Sequence, residues 1–274
     1  SRVVAKELKA THPRDPAELY AATPPLEVVK FVISHAASGG GSRAPMIIDI
    51  RRAYFNAPTR RPVHVAIPPE DREEGDEHMC AELNSSLYGT RDAGRNWEEE
   101  LTKFMLAQDA TIGQSCPCVY NVDKKDIKVS VHGDDIVFAG EPEDLDWLRA
   151  QFSKKFEIRV QELSNRKQGS LEIKVLNRIV RRTIDGITIE ADPRHATATI
   201  EHLHLVGANV STPCEVQKEI LWTERAETSS GCEILEQVGS APLGLERARI
   251  YRGIAARLNY LAQDRQDLKF AALR

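Results

Sequence analysis

The sequence has few cysteines, few aromatic residues and no long apolar run. Its 274 residues include five cysteines and only 6% Phe, Trp and Tyr. An odd, scattered cysteine set without paired Cys-x-x-Cys ligands argues against a disulfide framework and against a structural zinc site. No apolar run approaches the roughly 20 residues of a membrane helix, and the N-terminus lacks the layout of a signal peptide. We therefore expect a soluble intracellular protein with reduced thiols.

The chain also lacks an overall positive charge. Its formal net charge is -4, which taken alone argues against a nucleic-acid partner. The charge is unevenly distributed, however, and a basic stretch over 154–182 carries Lys154, Lys155, Arg159, Arg166, Lys167, Lys174, Arg178, Arg181 and Arg182 against three glutamates. Such a stretch is able to contact phosphates, although a solvated charged surface is the alternative interpretation.

The hydrophobic pattern predicts an α+β fold, in which helices pack behind an antiparallel sheet. Helices are predicted over 23–38, 91–108, 142–156, 192–206 and 245–263. Strands are predicted over 46–50, 61–70, 78–83, 118–122, 127–140, 171–180 and 185–191, and the strand at 127–140 folds on itself at His-Gly-Asp-Asp. The Thr-, Ser-, Glu- and Gly-rich segment 208–243 is typical of a linker.

Three carboxylates interrupt apolar strands. Asp134 and Asp135 follow Gly133 in "SVHGDDIVFAG", and Asp49 lies within "MIIDI". A carboxylate in such a position carries a large desolvation cost unless a partner neutralises it, and no Lys or Arg lies beside Asp134 in the hairpin. Oxygen ligands suit Mg²⁺, and acids that converge from neighbouring strands can hold two metal ions for phosphoryl transfer.

Longer motifs resemble a known family. "DIRRAYFN" (49–56) and "VHGDD" (131–135) resemble the two acidic motifs of reverse transcriptases. "LNSSLYGTRDAGRNW" (83–97) resembles the LxxSLYGLKQAPRxW segment of copia-type retrotransposons, and "ARIYRGIAARLNYLAQDRQDLKFAA" (248–272) resembles their C-terminal motif. The sequence is thus similar to copia-type reverse transcriptases over nearly its whole length, in the same motif order.

The resemblance implies a right-hand polymerase fold. Residues 1–191 would form fingers and a palm with an antiparallel sheet, 192–243 the start of the thumb and a linker, and 244–274 a truncated helical thumb or connection segment. Asp49, Asp134 and Asp135 would be the catalytic metal ligands for two Mg²⁺ ions, with Mn²⁺ as an alternative. Asp135 would be the supporting ligand, unless it is only a turn acid that faces water.

The resemblance also implies a nucleotide site. The backbone of Ile50, Arg52 and Ala53 would lie near the incoming triphosphate, and the Tyr54 ring would exclude a 2'-hydroxyl; a core aromatic is the alternative for Tyr54. Tyr88 and Gly89 would contact the nucleotide and the template, and Arg91 and Arg95 would contact phosphates. Arg159 would contact pyrophosphate, and residues 174–182 would contact the primer. A helix-start region is the alternative for the four residues between 88 and 95.

The implied reaction is attack of a primer 3'-oxygen on the α-phosphate of a deoxynucleotide. The implied partners are an RNA or DNA template with its primer, dNTPs, and other parts of a Pol polyprotein such as integrase and ribonuclease H; no membrane partner is expected. Since the first residue is Ser, we expect a piece of a longer chain, working in a cytoplasmic particle or the nucleus.

The chain departs from the family pattern at His132 and Gly133 in the Asp-Asp motif, and at Asp92, Gly94 and Gln266. These departures keep one alternative open, a decayed or domesticated relative that binds nucleic acid without polymerising. A magnesium-dependent nucleotidyl cyclase is a further alternative, but it does not account for "SLYGTRDAGRNW".

Overall fold

Most of the helices and strands that the hydrophobic pattern predicts are present. The structure is a computed structural model that describes residues 4–7, 19–76, 78–167, 169–205, 207 and 244–272. The chain divides into two compact units, 1–189 and 190–274. No helix in these ranges is both long enough and apolar enough to cross a membrane.

A six-stranded antiparallel sheet is the centre of the first unit. Its strands are β1 (Ala44–Ile50), β4 (Thr111–Ile112), β5 (Val119–Val122), β6 (Ile127–His132), β7 (Asp135–Gly140) and β8 (Ile158–Glu162), in the order β4-β5-β6-β7-β1-β8. A small pair, β2 (His64–Ala66) and β3 (Cys80–Glu82), lies outside this sheet. The sheet therefore places β1, which carries Asp49, directly beside β7, which begins at Asp135.

Helices cover both faces of the large sheet. On one face, α2 (Ala93–Leu106) and α3 (Pro142–Lys155) bury Trp97, Phe104 and Phe152 against the apolar side chains of the strands. On the other face, α1 (Leu26–Ala37) packs Val29, Val32 and Ile33 against Ile47, Val137 and Ala139. Because helices cover both faces of the sheet, the side chains of strand β7 are buried on both sides. This explains the nearly continuous hydrophobic run of β7.

A three-stranded sheet completes the first unit and corrects one prediction. The predicted single strand over 171–180 is wrong, because the chain turns at Leu176 and Asn177, whose φ angles are 45° and 66°. The result is a hairpin of β9 (Glu172–Val175) and β10 (Arg178–Thr183), which β11 (Gly186–Glu190) extends. Two consecutive left-handed residues are the geometry of a type I′ hairpin turn. Strand β8 was also missed by the sequence prediction.

The second unit contains three helices in its described part. They are α4 (Pro193–His202), α5 (Leu245–Ala262) and α6 (Gln266–Ala272). Asp192 caps α4 and accepts a hydrogen bond from the Arg194 N–H at 3.1 Å, and the rings of His195 and Tyr260 are 4.7 Å apart. The predicted helix over 192–206 therefore exists but is shorter, and the predicted linker over 208–243 lies outside the described residues. The predicted division into polymerase subdomains stays a prediction.

Candidate active site

A row of charged and titratable residues crosses the large sheet. Asp49 on β1 lies directly opposite Asp135 on β7 and directly opposite Arg159 on β8. His132 on β6 in turn lies directly opposite Asp135. Cross-strand partners share one face of a sheet, with Cα atoms about 4.5–5.5 Å apart. Strand register alone therefore brings together two carboxylates that are 86 positions apart in the sequence, with an imidazole on one side and a guanidinium on the other.

The third carboxylate lies on the turn that joins β6 to β7. Gly133 has a φ of 66°, in the left-handed region that a tight hairpin turn requires, and Asp134 follows it with an exposed side chain. The Asp134 carbonyl accepts a hydrogen bond from the Ile50 N–H at 3.1 Å. This bond ties the turn to the end of β1, so the backbone positions of the three acids lie at the same end of the sheet.

Trp97 holds the same turn from the helical side. Its indole Nε1–H donates a hydrogen bond to the Gly133 carbonyl at 2.9 Å, and its ring is buried. Trp97 lies on the helix predicted over 91–108, where burial in the core is its first role. Its second role had no sequence signal beyond its place at the end of the "LYGTRDAGRNW" motif.

The acids are close enough to influence each other's ionisation. Burial raises the pKa of Asp135 above its ordinary value, and the negative charges of Asp134 and Asp49 raise it further, while His132 acts in the opposite direction. Asp135 is thus partly buried and electrostatically coupled to the other two acids, rather than a turn acid that only faces water. A cation between the three carboxylates would relieve this repulsion.

The donor chemistry fits a divalent metal ion. Three carboxylates offer the hard oxygen ligands that Mg²⁺ and Mn²⁺ take. No three His, Cys, Asp or Glu side chains among the described residues are already gathered around one point as a preformed metal cage. The roles of Asp49, Asp134 and Asp135 as metal ligands therefore stay a prediction, supported by register and coupling.

The segment after β1 has an unusual backbone. Arg52 has a φ of 53°, and the short 3-10 turn Ala53–Asn56 begins directly after it. The Arg51 N–H donates to the Glu157 carbonyl at 2.9 Å, and the Ala53 side chain is fully buried. A non-glycine residue in the left-handed region is costly and is found preferentially at functional sites. This segment is where the resemblance locates the triphosphate.

Aromatic rings form a platform beside this segment. The rings of Tyr54 and Tyr88 are 4.6 Å apart, and Phe55 meets Tyr88 edge-on at 5.9 Å. Tyr54 is only partly buried and packs against the main core, so both interpretations of it, sugar contact and core aromatic, are compatible with its position. Tyr88 and Gly89 lie in a loop before α2, next to Tyr54, and their roles toward nucleotide and template stay predictions.

An N-terminal segment closes over this loop. The Ala5 N–H donates to the Tyr88 carbonyl at 2.7 Å, and Glu7 accepts the Arg91 N–H at 2.9 Å. The Arg61 guanidinium donates to both oxygens of Asp92, at 2.9 and 3.0 Å. The same guanidinium donates to Glu7 at 2.6 Å. Asp92 departs from the family pattern, and this ion pair explains the presence of an acid there.

The arginines of the predicted phosphate contacts differ in their surroundings. The Arg95 guanidinium pairs with Glu99 at 2.8 Å and with Glu98 at 3.4 Å, and Arg178 in the basic stretch is only 5% exposed. Arg159, in contrast, is exposed and lies beside Asp49.

Comparisons with known proteins identify the family of the chain. Residues 1–212 match the family model described as reverse transcriptase (RNA-dependent DNA polymerase). The chain belongs to this reverse transcriptase family. It is also 24% identical, over 199 residues, to the retrovirus-related Pol polyprotein from transposon TNT 1-94 of Nicotiana tabacum. The resemblance to copia-type reverse transcriptases is thereby confirmed.

The matches differ in how much of each protein they cover. The alignment with the Nicotiana polyprotein covers 66% of this chain and 15% of the relative, so the chain spans a small part of that polyprotein. Among solved structures, the truncated apo telomerase of Candida tropicalis matches 62% of this reverse transcriptase chain and 41% of its own, at 10% identity and a TM-score of 0.39. The telomerase of Candida albicans, in complex with a fragment of telomeric RNA, matches 72% of this chain and 41% of its own, at 9% identity and a TM-score of 0.35. These TM-scores are too low to support a conclusion about this chain.

Proposed function

We propose that the chain is an RNA-directed DNA polymerase that extends a primer with dNTPs. One observation carries the proposal: Asp49 and Asp135 are in register across β1 and β7, with Asp134 on the adjoining turn, in a chain of the reverse transcriptase family. A nucleotidyl cyclase with a similar acid arrangement has no support from the family match.

The chemistry needs positioning more than covalent catalysis. Asp49, Asp134 and Asp135 would hold two divalent ions, which when bound stabilise the attacking and leaving oxygens of the phosphoryl transfer. The backbone around Arg52 and Ala53 would orient the triphosphate of the incoming nucleotide. Arg159, in register with Asp49, would supply positive charge on the side where pyrophosphate leaves.

The large sheet and its helices would form the palm of a right-hand polymerase. The β9–β10 hairpin would contact the primer backbone, and α4 would begin the thumb. The template would be RNA or DNA, and other parts of a Pol polyprotein would act with this one. Because base pairing selects the nucleotide, protein contacts should be mainly with backbone phosphates.

Primer extension on poly(A) with an oligo(dT) primer and Mg²⁺ tests the proposal. We expect extension by the native chain and a loss of at least about 10²-fold for Asp134→Asn, which keeps the size of the side chain but removes its charge. Asp109→Asn is the matched control, because Asp109 is exposed and pairs with Lys124 away from the acids. Extension by Asp134→Asn at the native rate would contradict the assignment.

The decayed relative makes a different prediction in the same assay. The departures at His132 and Gly133 flank Asp134 and are the specific observation in its favour. Tight binding of primer and template, with no extension by either the native chain or Asp134→Asn, in Mg²⁺ or Mn²⁺, would select this alternative.

A further inference from the structure

Two cysteines lie next to each other at the start of β5. The Sγ atoms of Cys116 and Cys118 are 3.2 Å apart, on either side of Pro117. Both are free thiols, and they differ in accessibility: Cys116 is partly exposed, whereas Cys118 is only 3% exposed. Nothing in the polymerase chemistry uses this pair.

We propose that Cys116 and Cys118 are a redox-active dithiol, which closes reversibly to a disulfide and binds ligands that require two adjacent thiols, such as trivalent arsenicals. A disulfide bond is about 2.05 Å long, so the sulfur atoms must approach by about 1 Å. This approach needs a small adjustment of the turn at Pro117 and no long-range rearrangement. Disulfides that form in a reducing compartment are usually transient and act in catalysis or redox sensing.

The chemical step balances with a disulfide oxidant such as oxidised glutathione. The Cys116 thiolate attacks the oxidant, forms a mixed disulfide and releases one thiol. The Cys118 sulfur then attacks the Cys116 sulfur, loses its proton and expels the second thiol. The two protein thiols lose two electrons and two protons in total, and the oxidant becomes two thiols.

The difference in exposure sets the order of these events. Cys116 meets the oxidant first because it is the accessible thiol. Burial, with the neighbouring Cys116 acting in the same direction, raises the pKa of Cys118 to about 12, so Cys118 stays protonated while Cys116 reacts with the oxidant. This arrangement matches an attacking and a resolving thiol.

The pair is linked to the turn that carries Asp134. The Cys118 carbonyl accepts a hydrogen bond from the Val131 N–H at 2.9 Å, one residue before His132. Cys118 also lines a cavity of about 100 Å³ together with Trp97 and Gly133. The dithiol therefore lies next to a strand that leads directly into the hairpin of Asp134.

Mass spectrometry of the native chain tests the disulfide. After incubation with oxidised glutathione and alkylation, the tryptic peptide 104–124 contains just these two cysteines. We expect this peptide to be recovered two hydrogen atoms lighter and unalkylated, and to return to a doubly alkylated form after reduction. The proposal is overturned if Cys116 instead accumulates as a stable mixed disulfide with glutathione. It is also overturned if Cys116 and Cys118 are both still alkylated after an incubation in which glutathione has modified the exposed Cys80.

Binding of phenylarsine oxide gives an independent measurement. Its arsenic exchanges one oxygen, released as water, for two sulfur atoms, and peptide mapping locates it on the chain. We expect Cys116→Ser to weaken binding on the order of 10²-fold or more, because the second arsenic–sulfur bond is intramolecular. Cys80→Ser is the matched control and should bind normally.

Each variant's fold is checked by its thermal unfolding midpoint. Since Cys116 is partly exposed, Cys116→Ser is expected to fold. This variant alone shows whether arsenical binding needs both thiols, even if the second variant, Cys118→Ser, does not fold. Undiminished arsenical binding by Cys116→Ser would overturn the proposal. Neither measurement depends on polymerisation, so the outcome is independent of the proposed function.

Discussion

Among the glycines of the described residues, Gly89 has the least space for an added Cβ. Its φ is 94°, and a Cβ added there would lie 1.9 Å from the Ala5 carbonyl oxygen, because the N-terminal segment crosses directly over it. The family motif "SLYG" thus has a structural reason for its glycine in this chain. The side chain is excluded both by the backbone conformation and by the close approach of another segment.

We predict that Gly89→Ala lowers the free energy of unfolding by about 3 kcal/mol or more, from backbone strain together with the steric clash. Gly75→Ala is a matched control, since Gly75 has a φ of 100° with nothing within 4 Å of the added Cβ, and it should cost only about 1–2 kcal/mol. Urea unfolding of both variants measures the difference. Equal costs would mean that residue 5 does not pack on Gly89 in solution.

Tyr54 allows a test of the implied sugar contact. It packs on Tyr88, and a smaller side chain would open space next to the implied nucleotide site. We predict that Tyr54→Val lowers the preference for dNTPs over rNTPs on the order of tenfold or more, since shape exclusion of one group is worth about this much. Phe55→Val is the control, because Phe55 touches the same Tyr88 ring but is 43% exposed. If Tyr54→Val loses stability and keeps its dNTP preference, Tyr54 is a core aromatic.

At the scale of elements, the network of Glu7, Arg61 and Asp92 joins three parts of the chain. Asp92 is buried, with 8% of the residue exposed. Burial alone would raise its pKa, but the hydrogen bonds and charge of Arg61 outweigh burial and hold the pKa below its ordinary value. The pKa of Glu7 is lowered as well: burial opposes the shift, and the Arg91 N–H and the Arg61 charge outweigh it. Both carboxylates therefore favour folding only while they are ionised.

The sign of the pH dependence follows from these shifts. Because both pKa values are lower in the folded chain, their contribution is present above the ordinary carboxylate range near pH 4 and is lost as the pH falls through the folded values. We predict that Arg61→Met costs about 3–5 kcal/mol at pH 7, where it removes the cation that two ionised carboxylates share, and much less at pH 3. Unfolding by urea from pH 3 to 7 measures this difference.

Arg60→Met is the control for this experiment. Arg60 pairs with Glu99 at a more exposed position, and such pairs contribute at most about 1 kcal/mol. A constant cost of Arg61→Met across the pH range would show that the guanidinium acts only by packing.

Elements were predictable from sequence where a periodic pattern coincided with a recognisable turn. The helices at 26–37, 93–106 and 142–155 and the hairpin at Gly133 belong to this group. The turn at Leu176 was missed because leucine carries no turn signal, and the preceding alternation of apolar and charged residues is typical of a strand that continues. The pairing of Arg61 with Asp92 could not be predicted, because an ion pair between distant residues leaves no periodicity in the sequence.

The active site shows the same limit. Convergence of Asp49 with the Asp134–Asp135 turn was predictable, since buried carboxylates need a common partner. The register that inserts Asp49 between Asp135 and Arg159 was not, because it depends on strand β8, which the sequence analysis did not identify.

For the whole molecule, the proposed function raises the question of how a chain with a net charge of -4 would bind a polyanion. In the part of the chain that the structure describes, some cations of the basic stretch over 154–182 form ion pairs with carboxylates, and others do not. Lys155 pairs with Glu100, Arg166 with Asp146 and Arg181 with Glu172. No carboxylate within the described residues forms an ion pair with Lys154, Arg159, Lys167, Lys174 or Arg182. Affinity for nucleic acid should therefore come from about a handful of local contacts rather than from overall charge.

Lys174 gives the sharpest test of this view. It is exposed on β9, where the flanking Ile173 and Val175 point into the core, so replacing it should leave the fold intact. We predict that Lys174→Gln weakens primer–template binding and reduces the slope of log K against log salt by about 0.9, as expected for one lost duplex phosphate contact. Lys124→Gln changes the net charge equally, but Lys124 pairs with Asp109, so its slope should stay at the native value. Fluorescence anisotropy over a salt series measures both variants, and an equal effect of the two would mean that net charge, not the β9–β10 hairpin, governs binding.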